Sequence, residues 1–598
     1  MEKKYFVGID FGHGETTVSR VPGINGLPVS QIPLTSDTKD AGKKVISAIC
    51  KRGGEWSLVY GTNDYKNEDL REGFKGMIHT LTPQDREALQ IFAQLIFKAI
   101  LENDTDLEYD ELSGERNFEL GIACPTDWRR QEERPTACNE YVDFFRTECS
   151  LPVDHCINES DAAFFTKYDN YQATDSVFVV DLGSSTIDFT TFVGSRVKKE
   201  LCWGANLGAH MIEDILKTHI IVGENRANLQ DVVRLREQAS FHGDVNTAVS
   251  LFIRKAKEDY YIQRQEKGGQ LVVNVAKREL VPAVRTGDPC VYAFVDSAQY
   301  DQAIAPYVSA LQSTLMQAKQ RLANSGVVPT RVLLSGGACR MPFFVEIIKE
   351  LFSTSKIDID AQPECVVSNG VALFARARAA ALSKVVDRLN RLDYDTLYKD
   401  ADRTATREAI QTLLPSVLAE ICGGDDKSGD TIRTMLCNFM KGLNGNNSAF
   451  CKLVRTEVDN KINSNVRSAM AVAFADVFGI TVDTSGANVH LESVPVMSFR
   501  ESNFAVGGVF YKNFTSWILK GRFLWTELFF NWENPLSSDD RAEVASEVKS
   551  HLTAYLADDS SVTYDDVTPI VELIKDQTIE EAMAIFDSFQ LFEGTYKA

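Results

Sequence analysis

Val179-Val180-Asp181-Leu182-Gly183-Ser184-Ser185-Thr186-Ile187-Asp188 runs an apolar strand into an aspartate, a glycine turn and three hydroxyls. About 170 residues earlier, Asp10-Phe11-Gly12-His13-Gly14-Glu15-Thr16-Thr17 follows the apolar run Tyr5 to Ile9 with the same logic. Glycines there allow positive φ, so consecutive N–H groups can point into one concavity, which is how a turn binds phosphate oxygens. Asp10 and Asp181 each suit a hydrated magnesium ion, which keeps several waters and takes one or two carboxylates. One such turn is an unspecific signal. Two, one per half, can clamp a polyphosphate and its metal from opposite sides. A third piece, Val332-Leu333-Leu334-Ser335-Gly336-Gly337-Ala338-Cys339-Arg340-Met341-Pro342, ends a strand in Gly-Gly before a helix and permits close approach to a flat base or ribose.

Around these turns, short apolar runs alternate with longer helical patterns through the first 380 or so residues, the rhythm of α/β architecture. Strands are expected at Tyr5 to Ile9, Glu119 to Cys124, Val177 to Val180 and Arg331 to Leu334, and helices at Asp85 to Leu101, Gly208 to Ile220 and Val232 to Gln263. From Ala379 the chain reads mainly helical to about residue 479, broken at Gly423-Gly424 and again at Gly442 and Gly445. Period-two alternation between Thr481 and Phe510 predicts a small sheet. Beyond it, Ser538 is expected to cap a helix starting at Asp539, and Thr578 with Glu581 has capping-box spacing. The domain expectation is therefore 1–382 followed by a mainly α region, 383–598, with a small β element.

Composition excludes several classes. At 598 residues, 44% hydrophobic and 25% charged, the chain has the make-up of an ordinary globular protein. A net charge of -21 repels phosphate backbones, so bulk nucleic-acid or anionic-membrane binding is not expected. Twelve cysteines are too sparse for a disulfide scaffold, and none has C-x-x-C spacing, so reduced, mostly buried thiols are expected. The N-terminus lacks a secretory apolar region, and the nearest approach to a spanning helix, Ser468 to Phe478, is short and carries Asp476. The expectation is a soluble, cytoplasmic protein.

The three motifs, in this order and at these separations, resemble the actin, sugar-kinase and heat-shock chaperone ATPase superfamily, and the connecting segments look most like its seventy-kilodalton heat-shock protein branch. Leu120-Gly-Ile-Ala-Cys-Pro-Thr-Asp-Trp-Arg-Arg and Ile157-Asn158-Glu159-Ser160-Asp161-Ala162-Ala163 carry that likeness, which covers roughly residues 1 to 382. The resemblance implies a two-lobed actin-like ATPase fold of duplicated ribonuclease-H-like domains, with ATP or ADP and Mg2+ as cofactors. It implies Asp10 and Asp181 at the magnesium waters, Glu159 behind them, and Asp188 ordering the metal or the attacking water. Gly12, His13, Gly14 and Glu15 would form the first phosphate turn, and Gly183, Ser184, Ser185 and Thr186 would meet the β- and γ-phosphates. Gly208 would lie on the phosphate side, Lys257 at the ribose, and Gly336, Gly337 and Arg340 at the adenosine. Lys66 aligns loosely with a phosphate-facing lysine and reads better as a surface residue.

The departures matter too. The family turn carries two threonines where this chain has His13 and Gly14, which removes hydroxyls near the reacting phosphoryl and leaves His13 as a donor or a brake. Glu258 stands where the family often stacks an arginine on adenine. No acidic leucine-rich linker and no pattern of many short alternating strands follow Leu382, so the peptide-gripping output domain is not expected. The implied function is an atypical chaperone-like ATPase with slow hydrolysis, switching a C-terminal domain that binds a protein client or partner. An actin-like polymerising or scaffold protein, a small-molecule kinase and a non-hydrolysing nucleotide sensor are the alternatives. His155-Cys156 reads as a packed loop pair, the aromatic run Phe510 to Trp517 and Phe523 to Trp532 as C-terminal core first, with a partner groove or interfacial membrane contact as alternatives, and Asp425-Asp426 and Asp558-Asp559 as solvated loops.

Overall fold

The computed structural model describes residues 4–588 apart from 36–43, 129–136, 223–226, 229–244, 277–289, 425–430, 436–448, 491–534, 551–566 and shorter gaps. The chain divides into two compact units, Met1–Ala380 and Ala381–Gln590. The first is mixed α/β and holds two sheets of the same plan.

In sheet one the strands are β1 (Tyr5–Phe11), β2 (Glu15–Pro22), β3 (Ser30–Gln31), β4 (Lys44–Ile46), β5 (Phe118–Cys124) and β6 (Val153–Asn158). Their order is β3-β2-β1-β5-β6, with β4 also on β2. Sheet two consists of β7 (Ser176–Leu182), β8 (Ile187–Val193), β9 (Arg196–Val197), β10 (Trp203–Ala205), β11 (Arg331–Ser335) and β12 (Lys356–Ile359), ordered β9-β8-β7-β11-β12 with β10 on β8. The directions match as well. β1–β2 and β7–β8 are antiparallel hairpins, while β1–β5–β6 and β7–β11–β12 run parallel. The hairpin registers place Asp10 opposite Thr17 and Asp181 opposite Asp188, each one residue from the strand end.

Central strands buried on both faces read as continuous apolar runs, which is why YFVGIDF and SVFVVDL carry Val, Ile and Phe on both sides. Sheet one packs against α1 (Pro83–Asn103) and α2 (Ala137–Thr147), with Leu89, Phe92, Ile96 and Ile100 of α1 buried at helical spacing. Thr82 caps α1 by accepting from Asp85 N, and Pro83 starts it. α3 (Glu159–Phe165) leaves the end of β6 directly. Sheet two packs against α4 (His210–His219), α5 (Val245–Lys267), α6 (Ser297–Asn324) and α7 (Pro342–Leu351). A three-strand sheet (Ala48–Arg52, Glu55–Leu58, Arg71–Glu72) is inserted between β4 and β5, and a four-strand sheet (Ile221–Val222, Ala227–Asn228, Leu271–Ala276, Cys290–Val295) between α4 and α6.

The four strands expected from sequence lie where they were placed, each longer by one to three residues, and so do two of the helices, α1 and α4. The third, α5, is described from Val245, and residues 232–244 lie outside the described residues. The unit boundary falls inside α8 (Val366–Asn390). Pro363–Asn390 is long and apolar enough to cross a membrane by length and composition, unlike the shorter stretch the sequence singled out, yet 56% of its window is buried within the protein. Ala372 and Ala375 of α8 pack on Phe6 and Val21, so we read a core helix.

The second unit, as described, is helical: α9 (Tyr394–Cys422), α10 (Ala449–Phe478) and α11 (Thr568–Ser588). Ile570, Ile574, Thr578, Ala582 and Phe586 of α11 are buried at four-residue spacing. Thr578 therefore sits in mid-helix, donating from Oγ1 to Ile574 O, and the capping box expected at Thr578 and Glu581 does not form. Ser538 is already helical, so it does not cap a helix beginning at Asp539. α9 ends at Gly423 as expected. The described part of the expected sheet, residues 481–490, contains no strand. Asn463 of α10 accepts from Val489 N and Arg467 donates to Ala487 O, capturing groups that a ladder would need. Gly442, Gly445, the aromatic run and both acidic pairs lie outside the described residues. Among the described residues, nine cysteine side chains are placed outside any disulfide, and Cys422 alone of these nine is exposed.

Candidate functional site

The three motif turns open onto one cavity of about 1050 Å³ in the first unit. Gly12, His13, Gly14 and Glu15 reach it from the β1–β2 turn, and Gly183, Ser184, Ser185 and Thr186 from the β7–β8 turn. Gly336, Gly337 and Arg340 reach it after β11, where Gly336 turns the chain at φ +88°, a left-handed conformation that favours glycine. The turns approach closely: a Cβ on Gly14 would stand 3.0 Å from Ser184 Cβ. Of the residues expected at the site, Gly208 alone does not line the cavity. It lies behind the second turn, where a Cβ would collide with Ser184 O.

At the floor stand Asp10, Asp181, Glu159, Asp188 and Lys75. Asp10 Oδ1 and Asp181 Oδ1 are buried without a hydrogen-bond partner, while Asp188 Oδ2 accepts from Thr186 Oγ1 at 2.7 Å. Burial, then the charge of Glu159, lifts both Asp10 and Asp181 to about 8, with Asp181 adding to Asp10 and Asp188 to Asp181. Lys75 Nζ pairs with Glu159 Oε1 at 2.7 Å, both nearly buried. Burial alone would lower the lysine, but Glu159 and Asp10 outweigh it and hold its ammonium above the ordinary range. Two buried oxygens without partners, on carboxylates that resist ionising together, have the chemistry to accept a cation. No group of three or more His, Cys, Asp or Glu suited to a metal occurs among the described residues. Two carboxylates nonetheless fit magnesium, whose other ligands are water and phosphate oxygens.

His13 is held near 4 by burial first, then by Arg254, Lys75 and His210, so its imidazole is neutral at pH 7. His210, whose Nδ1–H donates to Ser184 O at 2.7 Å, faces it with ring centroids 6.3 Å apart.

One face of α5 forms the far wall. Arg254, Lys257, Glu258 and Tyr261, at i, i+3, i+4 and i+7, all line the cavity. Arg254 donates to Gly14 O at 3.1 Å, tying α5 to the first turn, and pairs with Glu213 of α4. Lys257 pairs with Glu213 at 2.8 Å, Lys44 with Glu15 at 2.6 Å, and Arg340 with Glu364 at 2.9 Å.

The sequence alone does not single out Lys75, Lys44, Glu213, Arg254 or Glu364. Gly73-Phe74-Lys75-Gly76 carries a faint signal, a lysine between glycines after a buried Phe74. Lys66, the alternative, lies outside the described residues. His155-Cys156 sits in β6 and not in a loop. His155 is buried with no partner on either ring nitrogen and packs on Phe374 at 5.9 Å, a core residue. Comparison of the chain with protein-family models and with curated proteins finds no match.

Proposed function

We propose that the first unit is an ATPase of the actin, sugar-kinase and heat-shock chaperone type, binding a magnesium nucleoside triphosphate in this cavity and hydrolysing it slowly. In this reading the nucleotide state governs what protein the unit Ala381–Gln590 binds. The observation that carries it is the repetition: two sheets of equal order and direction, each ending its central hairpin in Asp-x-Gly, with both turns lining one cavity. That plan is what a pair of ribonuclease-H-like lobes requires.

Asp10 and Asp181 would hold the magnesium, Lys75 would face the phosphates, and the N–H groups of both turns would meet phosphoryl oxygens. Magnesium, when bound, neutralises charge on the transferring phosphoryl group. Asp188, fixed by Thr186, stands as the acceptor for a water proton. A neutral His13 supplies no positive charge where a hydroxyl would have donated, and this favours as second reading a sensor that binds nucleotide without turnover.

Single-turnover hydrolysis separates the two. The ATPase reading expects slow ATP cleavage that Asp181→Asn abolishes and His13→Thr accelerates. No cleavage by wild type with intact nucleotide binding selects the sensor. Failure to bind nucleotide removes both.

A further inference from the structure

The far wall of the cavity holds an imbalance among its charges. Four other carboxylates lining the cavity have a cation: Glu15 has Lys44, Glu213 has Lys257 and Arg254, Asp259 has Lys255, and Glu364 has Arg340. Glu258, on the cavity face of α5, makes no ion pair within 4.0 Å among the described residues. It lies between Arg254 and Tyr261 on that face, against the field of Glu15, and Lys44 and Lys257 pull on it without pairing. A partly buried carboxylate without a cation costs free energy unless a ligand supplies donors.

We propose that Glu258 is a specificity residue, accepting two adjacent hydrogen-bond donors from the nucleoside part of the ligand. The inference rests on the nucleotide reading above. A carboxylate takes parallel donors in bidentate fashion. Two groups of a nucleotide offer such a pair: the N1–H and N2–H₂ edge of guanine, and the 2′,3′-diol of ribose. Adenine does not, since beside its N6–H₂ lie the lone pairs of N1 and N7, which a carboxylate repels. A glutamate also cannot stack on a base as a guanidinium does.

The test is a calorimetric titration of the full chain with magnesium complexes of GTP, ITP, ATP, 2′-deoxy and 3′-deoxy nucleotides, and inorganic triphosphate. It is run at roughly pH 8.5, above the value near 7 to which burial and then Glu15 lift Glu258, so that the carboxyl is ionised. Wild type is expected to lose about tenfold or more in affinity when one donor is removed, the change one hydrogen bond to a charged acceptor makes. A loss from GTP to ITP, which lacks N2, assigns the base, and a loss on the deoxy forms assigns the ribose. Glu258→Gln presents one donor and one acceptor, so it should erase that loss and, for base reading, bring ATP up against GTP. Inorganic triphosphate has no nucleoside and should bind both proteins alike, which also checks that the variant folds. Equal affinity of wild type for every nucleotide, or full discrimination retained by Glu258→Gln, overturns the inference and leaves nucleotide binding standing. If neither nucleotides nor triphosphate bind, the proposed function itself fails and the inference with it.

Discussion

The Lys75–Glu159 pair is nearly buried at 2.7 Å, so removing one partner strands the other charge away from water. Lys75→Met should destabilise the protein by about 3 kcal/mol or more, and Lys75→Met with Glu159→Gln should recover most of that, read as thermal midpoints of the ligand-free protein. Asp181 points the other way. Folded, it titrates near 8 against an ordinary 3.8, so the native state keeps a proton that the unfolded chain releases. Its contribution to stability therefore falls as pH rises between those values. Asp181→Asn should raise the stability of the ligand-free protein at pH 7 by roughly 1–3 kcal/mol. A midpoint that fell instead would mean that the carboxylate is satisfied by its surroundings. Histidines give the acid limb. His155 is lowered to about 3 by burial and then by Arg378 and Arg146, so below 6.5 the unfolded chain takes a proton the native state refuses. Stability from this group is lost as pH drops from 6.5 towards 3, and His155→Leu should flatten the fall in thermal midpoint between pH 6.5 and 4 relative to wild type.

At the scale of elements, the hairpin turns depend on backbone approach. Gly208 backs the second turn, and Gly208→Ala should cost about 2 kcal/mol or more because its Cβ would meet the carbonyl of Ser184, which is backbone and cannot swing away. Gly337, whose Cβ would meet nothing closer than 3.8 Å, is the control, and Gly337→Ala should leave the thermal midpoint nearly unchanged. The same contrast explains what was legible in the sequence. Val177–Val180 running into Asp181-Leu182-Gly183 could be read because strand, aspartate and turn are neighbours along the chain. Lys75 could not, since its meaning comes from Glu159, 84 residues away, and Arg254 reaches Gly14 across 240. Thr578 shows local spacing misleading: threonine and glutamate three apart suit a cap, but an apolar stripe of period four carried the helix through.

For the whole first unit, the chain uses one plan twice, and that duplication was visible only as two similar ten-residue motifs. The strand orders β3-β2-β1-β5-β6 and β9-β8-β7-β11-β12 depend on pairings such as Tyr5 with Phe118 and Val177 with Arg331, which no local pattern encodes. A duplicated frame lets each half deliver one carboxylate to the same cavity, and the proposed function needs both halves to bracket a triphosphate. The central claim is thus a magnesium-dependent nucleotide site built jointly by Asp10 and Asp181. The measurement that tests it most directly is calorimetric titration of the full chain with ATP, with and without magnesium, for wild type and for Asp10→Asn with Asp181→Asn. The account predicts wild-type binding that strengthens at least tenfold with magnesium, and a double variant whose weaker binding no longer responds to the metal. Binding by wild type that ignores magnesium, or an undiminished magnesium response in the double variant, would contradict it.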